Sequence, residues 1–187
     1  MRQQERYDNL YAELEDTESQ LEKQREASSK NNSELTSIEE KITKSNKLMG
    51  LTEVTGTGII LTLDDGKATN YLGSLNDLLI HDLDLINVVN ELKNAGAEAI
   101  SINGQRITTT SSIMCDGNVI MVNGVKIGAP FEIKAIGLPE QLSGLARPGG
   151  YLAALNDYSI STELKKSNNV TIPKYSGVIN FKFVKSK

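Results

Sequence analysis

Two spacings of apolar residues divide the chain. From Tyr7 to Met49 one series recurs every seven places: Tyr7, Leu14, Leu21, Ser28, Leu35, Ile42 and Met49. A companion series lies three places on: Leu10, Thr17, Gln24, Asn31, Ile38 and Ser45. This is the a/d pattern of a coiled coil. Its polar middle around Gln24 to Asn31 weakens pairing but can fix the register. A helix over residues 1–49 would be about 70 Å long at 1.5 Å per residue. The alternative, a single solvated helix, would have little to bury. The pattern therefore predicts a homodimeric stalk, dimerising through Tyr7, Leu10, Leu14, Leu21, Leu35, Ile38 and Ile42.

After Gly50 the period changes. Ile59, Leu61 and Leu63 alternate with Gly58, Ile60 and Thr62, which predicts a first strand, and Asp64-Asp65-Gly66-Lys67 ends it as a turn. Residues 67–80 read as a loop with a helical turn at Leu75 to Ile80. Leu85, Val88, Val89 and Leu92 then repeat at helical spacing, which predicts an amphipathic helix over about 82–95. Gly96 follows as its C-terminal cap. Ala97 to Ile102 predicts a half-buried strand, and Asn103-Gly104 is the strongest short turn signal in the chain. Thr108 to Ser112 suits an edge strand or loop. Ile113-Met114-Cys115 and Val119 to Val122 flank Asp116-Gly117-Asn118 as a hairpin, and Asn123-Gly124 makes a further turn. Pro130 to Ile136 reads as a core strand. Pro139 stands early in the next helix, where its missing N–H costs little. Pro148-Gly149-Gly150 interrupts that helix, and Tyr151 to Leu155 resumes it. Ile160, Thr162 and Leu164 alternate as a strand, Ser167-Asn168-Asn169 turns into Val170 to Pro173, and Val178 to Val184 reads as a closing strand.

The elements predict an α+β protein. Residues 50–187 are expected to form a ferredoxin-like β-α-β-β-α-β sandwich with an inserted hairpin, preceded by the long N-terminal coiled-coil helix of residues 1–49. The right-handed crossover rule has the first two strands parallel in the sheet.

Composition adds exclusions. Residues 1–49 hold 11 acidic and 8 basic residues and neither Gly nor Pro, so 19 of the chain's 44 charges lie in its first quarter. The net charge of -4 gives no basic surface for nucleic acid. With no Trp and 5% aromatics the core must be aliphatic. Cys115 is the only cysteine, so no intramolecular disulfide can form, and its apolar neighbours suggest a buried spectator. No run approaches the roughly 18 apolar residues of a membrane span.

The search for chemistry is short. His81, the one histidine, precedes Asp82 and Asp84; lacking further ligands at metal spacing, the group reads as helix capping rather than a metal site. Gly56-Thr57-Gly58 lacks the third glycine of a dinucleotide loop and enters a strand. Asp64-Asp65 has not the spacing of a calcium loop. No catalytic set, metal site or cofactor is expected. The best polar candidate is the turn Asn103, Gly104, Gln105 and Arg106. Arg106 could pair with Glu98 or a partner's carboxylate, making a binding site. The other reading is a turn tied down by its own hydrogen bonds.

Val89-Asn90-Glu91-Leu92 followed by Gly96-Ala97-Glu98-Ala99-Ile100-Ser101-Ile102-Asn103-Gly104-Gln105-Arg106 resembles the signature of the YlxW/YlxX-like bacterial proteins. That family is of unknown function and is often labelled "division initiation protein". Thr55-Gly56-Thr57-Gly58, Asn123-Gly124, and Ala129-Pro130-Phe131 leading to Ala135-Ile136-Gly137 add to the resemblance, which covers about residues 53–175. Members usually carry a membrane helix ahead of the coiled coil, with the globular domain outside the cytoplasmic membrane. This chain lacks that helix, and the resemblance implies that Met1 begins an excised soluble fragment. It offers no catalytic residues to carry over. The expected function is a non-enzymatic scaffold or interaction protein of the bacterial cell envelope, linked to cell division, with division or envelope proteins as partners. The alternative is a small-molecule-sensing ferredoxin-like domain.

Overall fold

The computed structural model describes residue 14 and residues 16–25, 33–67, 74–179 and 183. It divides into two units, Met1–Asn46 and Lys47–Lys187. Residues 16–25 are helical, and helix α1 covers Ser33–Met49. Of the seven residues expected in a stalk seam, Tyr7 and Leu10 lie outside the described residues. Leu14, Leu21, Leu35 and Ile38 are exposed in the single chain, and Ile42 is half-buried.

The second unit is built on β1 (Val54–Asp64). Its odd positions Ile59, Leu61 and Leu63 are fully buried, as alternation on a half-covered strand requires. After β1 come a 3-10 turn (Leu75–Leu78), helix α2 (Asp82–Asn94), and strands β2 (Ala99–Ile102) and β3 (Gln105–Ile107). Strands β4 (Ile113–Asp116), β5 (Val119–Val122) and β6 (Val125–Ile127) follow, then β7 (Phe131–Ile136). Helix α3 (Pro139–Leu142), a 3-10 turn (Ser143–Ala146), helix α4 (Tyr151–Asp157) and β8 (Ser161–Ile172) complete the described elements.

The larger sheet has the order β3-β2-β7-β1-β8. Every neighbouring pair is antiparallel. Because β7 is antiparallel to both β1 and β2, those two strands run parallel with β7 between them, as a crossover through α2 demands. Leu85, Val88, Val89 and Leu92 of α2 and Leu142, Leu145, Leu152 and Leu155 of the later helical segments join one buried cluster with Ile59, Leu61, Ile100, Ile102, Phe131 and Ile133. The helices thus cover one face of the sheet. Gly96 (φ 84) closes α2: Gly96 N–H bonds the Lys93 carbonyl and Ala97 N–H the Leu92 carbonyl, the two bonds of a Schellman cap.

Several expectations change. The inserted hairpin is a three-stranded sheet, β4-β5-β6, because Asn123 (φ 54) and Gly124 (φ 81) form a second tight turn and return the chain as β6. Cys115 is exposed on β4, with only part of its side chain shielded. Ser167-Asn168-Asn169 does not end a strand. β8 continues through it, and the register with β1 shifts between Gly56 and Gly58, so the one extra residue is absorbed as a bulge. The polar triplet read as a turn because its residues favour turns locally, while pairing along the whole of β1 overrides that preference. Of the expected closing strand, Val178 and Ile179 have no regular structure, and residues 180–182 and 184 lie outside the described residues. Among the described residues no helix is long and apolar enough to cross a membrane.

Candidate functional site

Asn103 (φ 44) and Gly104 (φ 77) make a two-residue hairpin loop between β2 and β3, with Ile102 opposite Gln105. Asn103 tolerates the left-handed region and uses its amide to hold β7. Its Oδ1 accepts from Glu132 N at 2.8 Å, and its Nδ2 donates to the Pro130 carbonyl at 3.2 Å. Gly104 is exposed and Gln105 half-buried. Arg106 is 4% exposed. Its Nη1 donates to the Thr52 carbonyl at 3.2 Å and the Pro173 carbonyl at 3.3 Å. Its own carbonyl accepts from Asn123 Nδ2 at 2.8 Å. Burial lowers its pKa, but a guanidinium stays charged in any ordinary range.

The four turn residues therefore do not converge on one ligand. Asn103 and Arg106 are engaged with backbone, Gly104 is exposed and Gln105 is half-buried. Glu98 is not the partner of Arg106; among the described residues Arg106 makes no ion pair, and two carbonyls take the place of a carboxylate. Beside it, the hydroxyls of Ser101, its cross-strand neighbour, and of Thr52 are buried without hydrogen-bond partners. Arg106 thus ties three segments together: β3, the entry at Thr52 and the exit at Pro173. Next to this joint, the Gly50 carbonyl accepts from Tyr175 N at 2.8 Å.

A second polar cluster lies at the start of α2. His81 precedes the helix, and its backbone N–H donates to Asp84 Oδ2 at 2.8 Å. Asp84 Oδ1 accepts from the Tyr151 hydroxyl at 3.0 Å, which in turn accepts from Asn87 Nδ2 at 3.0 Å. Burial pushes the Tyr151 hydroxyl's pKa up. Asp82 Oδ2 accepts from Cys115 N at 2.9 Å, and Asp82 N donates to Cys115 Sγ at 3.3 Å. The Cys115 N–H bond is the main cause holding Asp82 below the usual carboxylate range. Burial raises the Cys115 thiol, and the Asp82 charge adds to that, so Sγ is not an activated thiolate. Among the described residues no three acidic, His or Cys side chains are grouped to hold a metal.

Chemically this cluster is a joint: it fastens the first turn of α2 to β4 and to α4. The capping reading of His81, Asp82 and Asp84 agrees with its geometry. The parts played by Cys115 and Tyr151 were not legible, because the bonds span 33 and 67 residues and neither residue carries a spacing signal.

The fold is similar to that in a crystal structure of an uncharacterized conserved protein from Mycobacterium tuberculosis. The TM-score is 0.63 at 22% identity, over 79% of this chain and 99% of that one. In sequence the chain is 37% identical over 142 residues to UPF0749 protein YlxW of Bacillus subtilis, covering 75% of this chain and 62% of that protein. It is 29% identical over 131 residues to UPF0749 protein Rv1823 of Mycobacterium tuberculosis, covering 64% of this chain and 43% of that protein. The chain therefore spans less than two thirds of the length of these relatives. Residues 41–185 match the family described as "Bacterial protein of unknown function (DUF881)", and the chain belongs to that family.

Proposed function

We propose that this protein is a non-enzymatic, homodimeric scaffold of the bacterial cell envelope, working in cell division outside the cytoplasmic membrane. The observation that carries the reading is a set of exposed apolar residues at heptad spacing on described helical residues. Leu14, Leu21, Leu35 and Ile38 are 46%, 48%, 39% and 51% exposed in the single chain, at heptad spacing. The same residues of a second copy would bury them as a coiled-coil seam. The globular part then presents a ferredoxin-like sandwich. In support, strands β2, β7, β1 and β8 are neighbours in one antiparallel-paired sheet, and helical segments follow β1 and β7. The scaffold reading rests also on how the polar side chains are used: Arg106, Asn103, Asp82 and Asp84 hold backbone and neighbouring elements together. The envelope and division assignment rests on the family resemblance.

Sedimentation equilibrium tests the dimer. At about 100 μM the chain runs as a dimer, since association of about 8 kcal/mol gives a Kd near 1 μM. Leu14→Asp with Leu21→Asp puts charge into the seam and yields monomers. A wild-type monomer at that concentration sinks the proposal.

A further inference from the structure

An open cleft of about 480 Å³ lies where the C-terminal end of α2 meets the segment after α3. Its volume is in the range of small-ligand sites. Buried Leu145 and half-buried Ala95 contribute apolar surface, Asn94 and Gln141 contribute amides, and Glu91 and Arg147 contribute opposite charges. The two charged side chains line one cleft, yet neither is ion-paired among the described residues. Elsewhere in the globular unit charges are paired: Lys166 takes Glu140, and Lys134 takes Glu132. Glu91 and Arg147 are thus exposed charges that line one cleft beyond ion-pair distance of each other.

The backbone sharpens the choice of ligand. α2 and the 3-10 turn Ser143–Ala146 both end at this cleft. The Schellman bonds use the carbonyls of Leu92 and Lys93, and Ala95 N–H uses that of Glu91. Glu91 lies in the last turn of α2, at the negative end of the helix dipole, which favours a cation near it. Arg147 offers the planar fork that matches a carboxylate. An acid backed by a helix C-terminus, together with a guanidinium, matches a molecule carrying one ammonium and one carboxylate.

We propose that this cleft binds a small zwitterion of the α-amino acid type, as the free amino acid or as a short peptide. Its ammonium meets Glu91, its carboxylate meets Arg147, and the amides of Asn94 and Gln141 take its remaining polar atoms. The proposal is independent of the coiled-coil seam, and exposed Glu91 and Arg147 lie in the globular unit.

The test is titration of the 15N-labelled chain with L-alanine and with L-alanyl-L-alanine, followed by amide shifts. N-acetyl-L-alanine and L-alaninamide, each carrying one charge, are the controls. The expected result is saturable millimolar binding of at least one zwitterion, with shifts centred on Glu91, Asn94–Gly96, Gln141 and Arg147. The controls bind at least tenfold more weakly. Glu91→Gln and Arg147→Gln each weaken the zwitterion at least tenfold while the thermal midpoint stays unchanged. The tighter of the two zwitterions identifies the free or the peptide form. Absence of saturable shifts at this cleft with either zwitterion, or controls that bind as well, or variants that bind as well as the wild type, would overturn the proposal.

Discussion

Arg106 Nη1 and the carbonyl of Pro173, 67 residues apart in the chain, meet at 3.3 Å inside the protein. The same nitrogen reaches the Thr52 carbonyl, so one buried cation joins the segments that lead into and out of the sheet. Arg106→Ala removes two charge-assisted bonds and strands two carbonyls. We expect a loss of about 3 kcal/mol, since hydrogen bonds to charged groups contribute roughly 1.5–3 kcal/mol each. Arg106→Lys keeps the charge but not the planar fork and should lose less. Urea unfolding checks both, and a change below about 0.5 kcal/mol for the Ala variant would place Arg106 among ordinary surface positions.

Gly58 is the tightest glycine in the sheet. A Cβ there would lie 1.9 Å from the Ala135 carbonyl oxygen, on the neighbouring strand β7. Nothing at the end of a flexible side chain can yield, because the obstacle is backbone. Gly58→Ala should destabilise by about 3 kcal/mol, the upper end of overpacking costs. A thermal midpoint equal to that of the wild type contradicts this.

Asp82 sets an acid sensitivity. Its folded pKa lies below the ordinary value because Cys115 N–H bonds the charged form. A depressed carboxylate contributes stability above its unfolded pKa of about 3.9 and loses it as pH falls through the folded value. Asp82→Asn removes that dependence. Urea midpoints measured between about pH 5 and pH 2 should fall more steeply for the wild type than for the variant. Parallel curves would mean that the bond to Cys115 carries no charge-dependent energy.

Cys115 is exposed but shielded by chemistry. Burial of part of the side chain and the nearby Asp82 charge raise its thiol pKa, so little thiolate is present at neutral pH. Alkylation by iodoacetamide at neutral pH should be slower than for a free cysteine peptide. It should quicken in Asp82→Asn. Equal rates in the two proteins argue against the electrostatic account.

The globular unit should stand alone. Its buried cluster draws on β1, α2, β2, β7 and the later helical segments, all after Lys47. A fragment of residues 47–187 is expected to unfold in one cooperative transition by calorimetry. A broad, probe-dependent transition would assign part of the core to the first unit.

Local sequence determined the pieces whose causes are local. The spacing of Leu85, Val88, Val89 and Leu92 fixes α2, because a 3.6-residue period puts them on one face whatever lies opposite. Gly96 and the Asn103-Gly104 and Asn123-Gly124 pairs fix a cap and two turns, because positive φ is a property of the residue itself. The family resemblance was likewise legible in a contiguous phrase. Tertiary structure decided what depends on distant partners. Ser167-Asn168-Asn169 stays in a strand because β1 pairs along both sides of it. The chemistry of Arg106 was ambiguous in sequence, since nothing local says that its guanidinium would be buried on the carbonyls of Thr52 and Pro173 rather than offered to a carboxylate. Glu91 and Arg147, 56 residues apart by their numbering, line one cleft only because α2 and the segment after α3 cover the same face of the sheet. A local preference is written in each residue, whereas the neighbours of a side chain are set by how the whole chain buries its apolar surface.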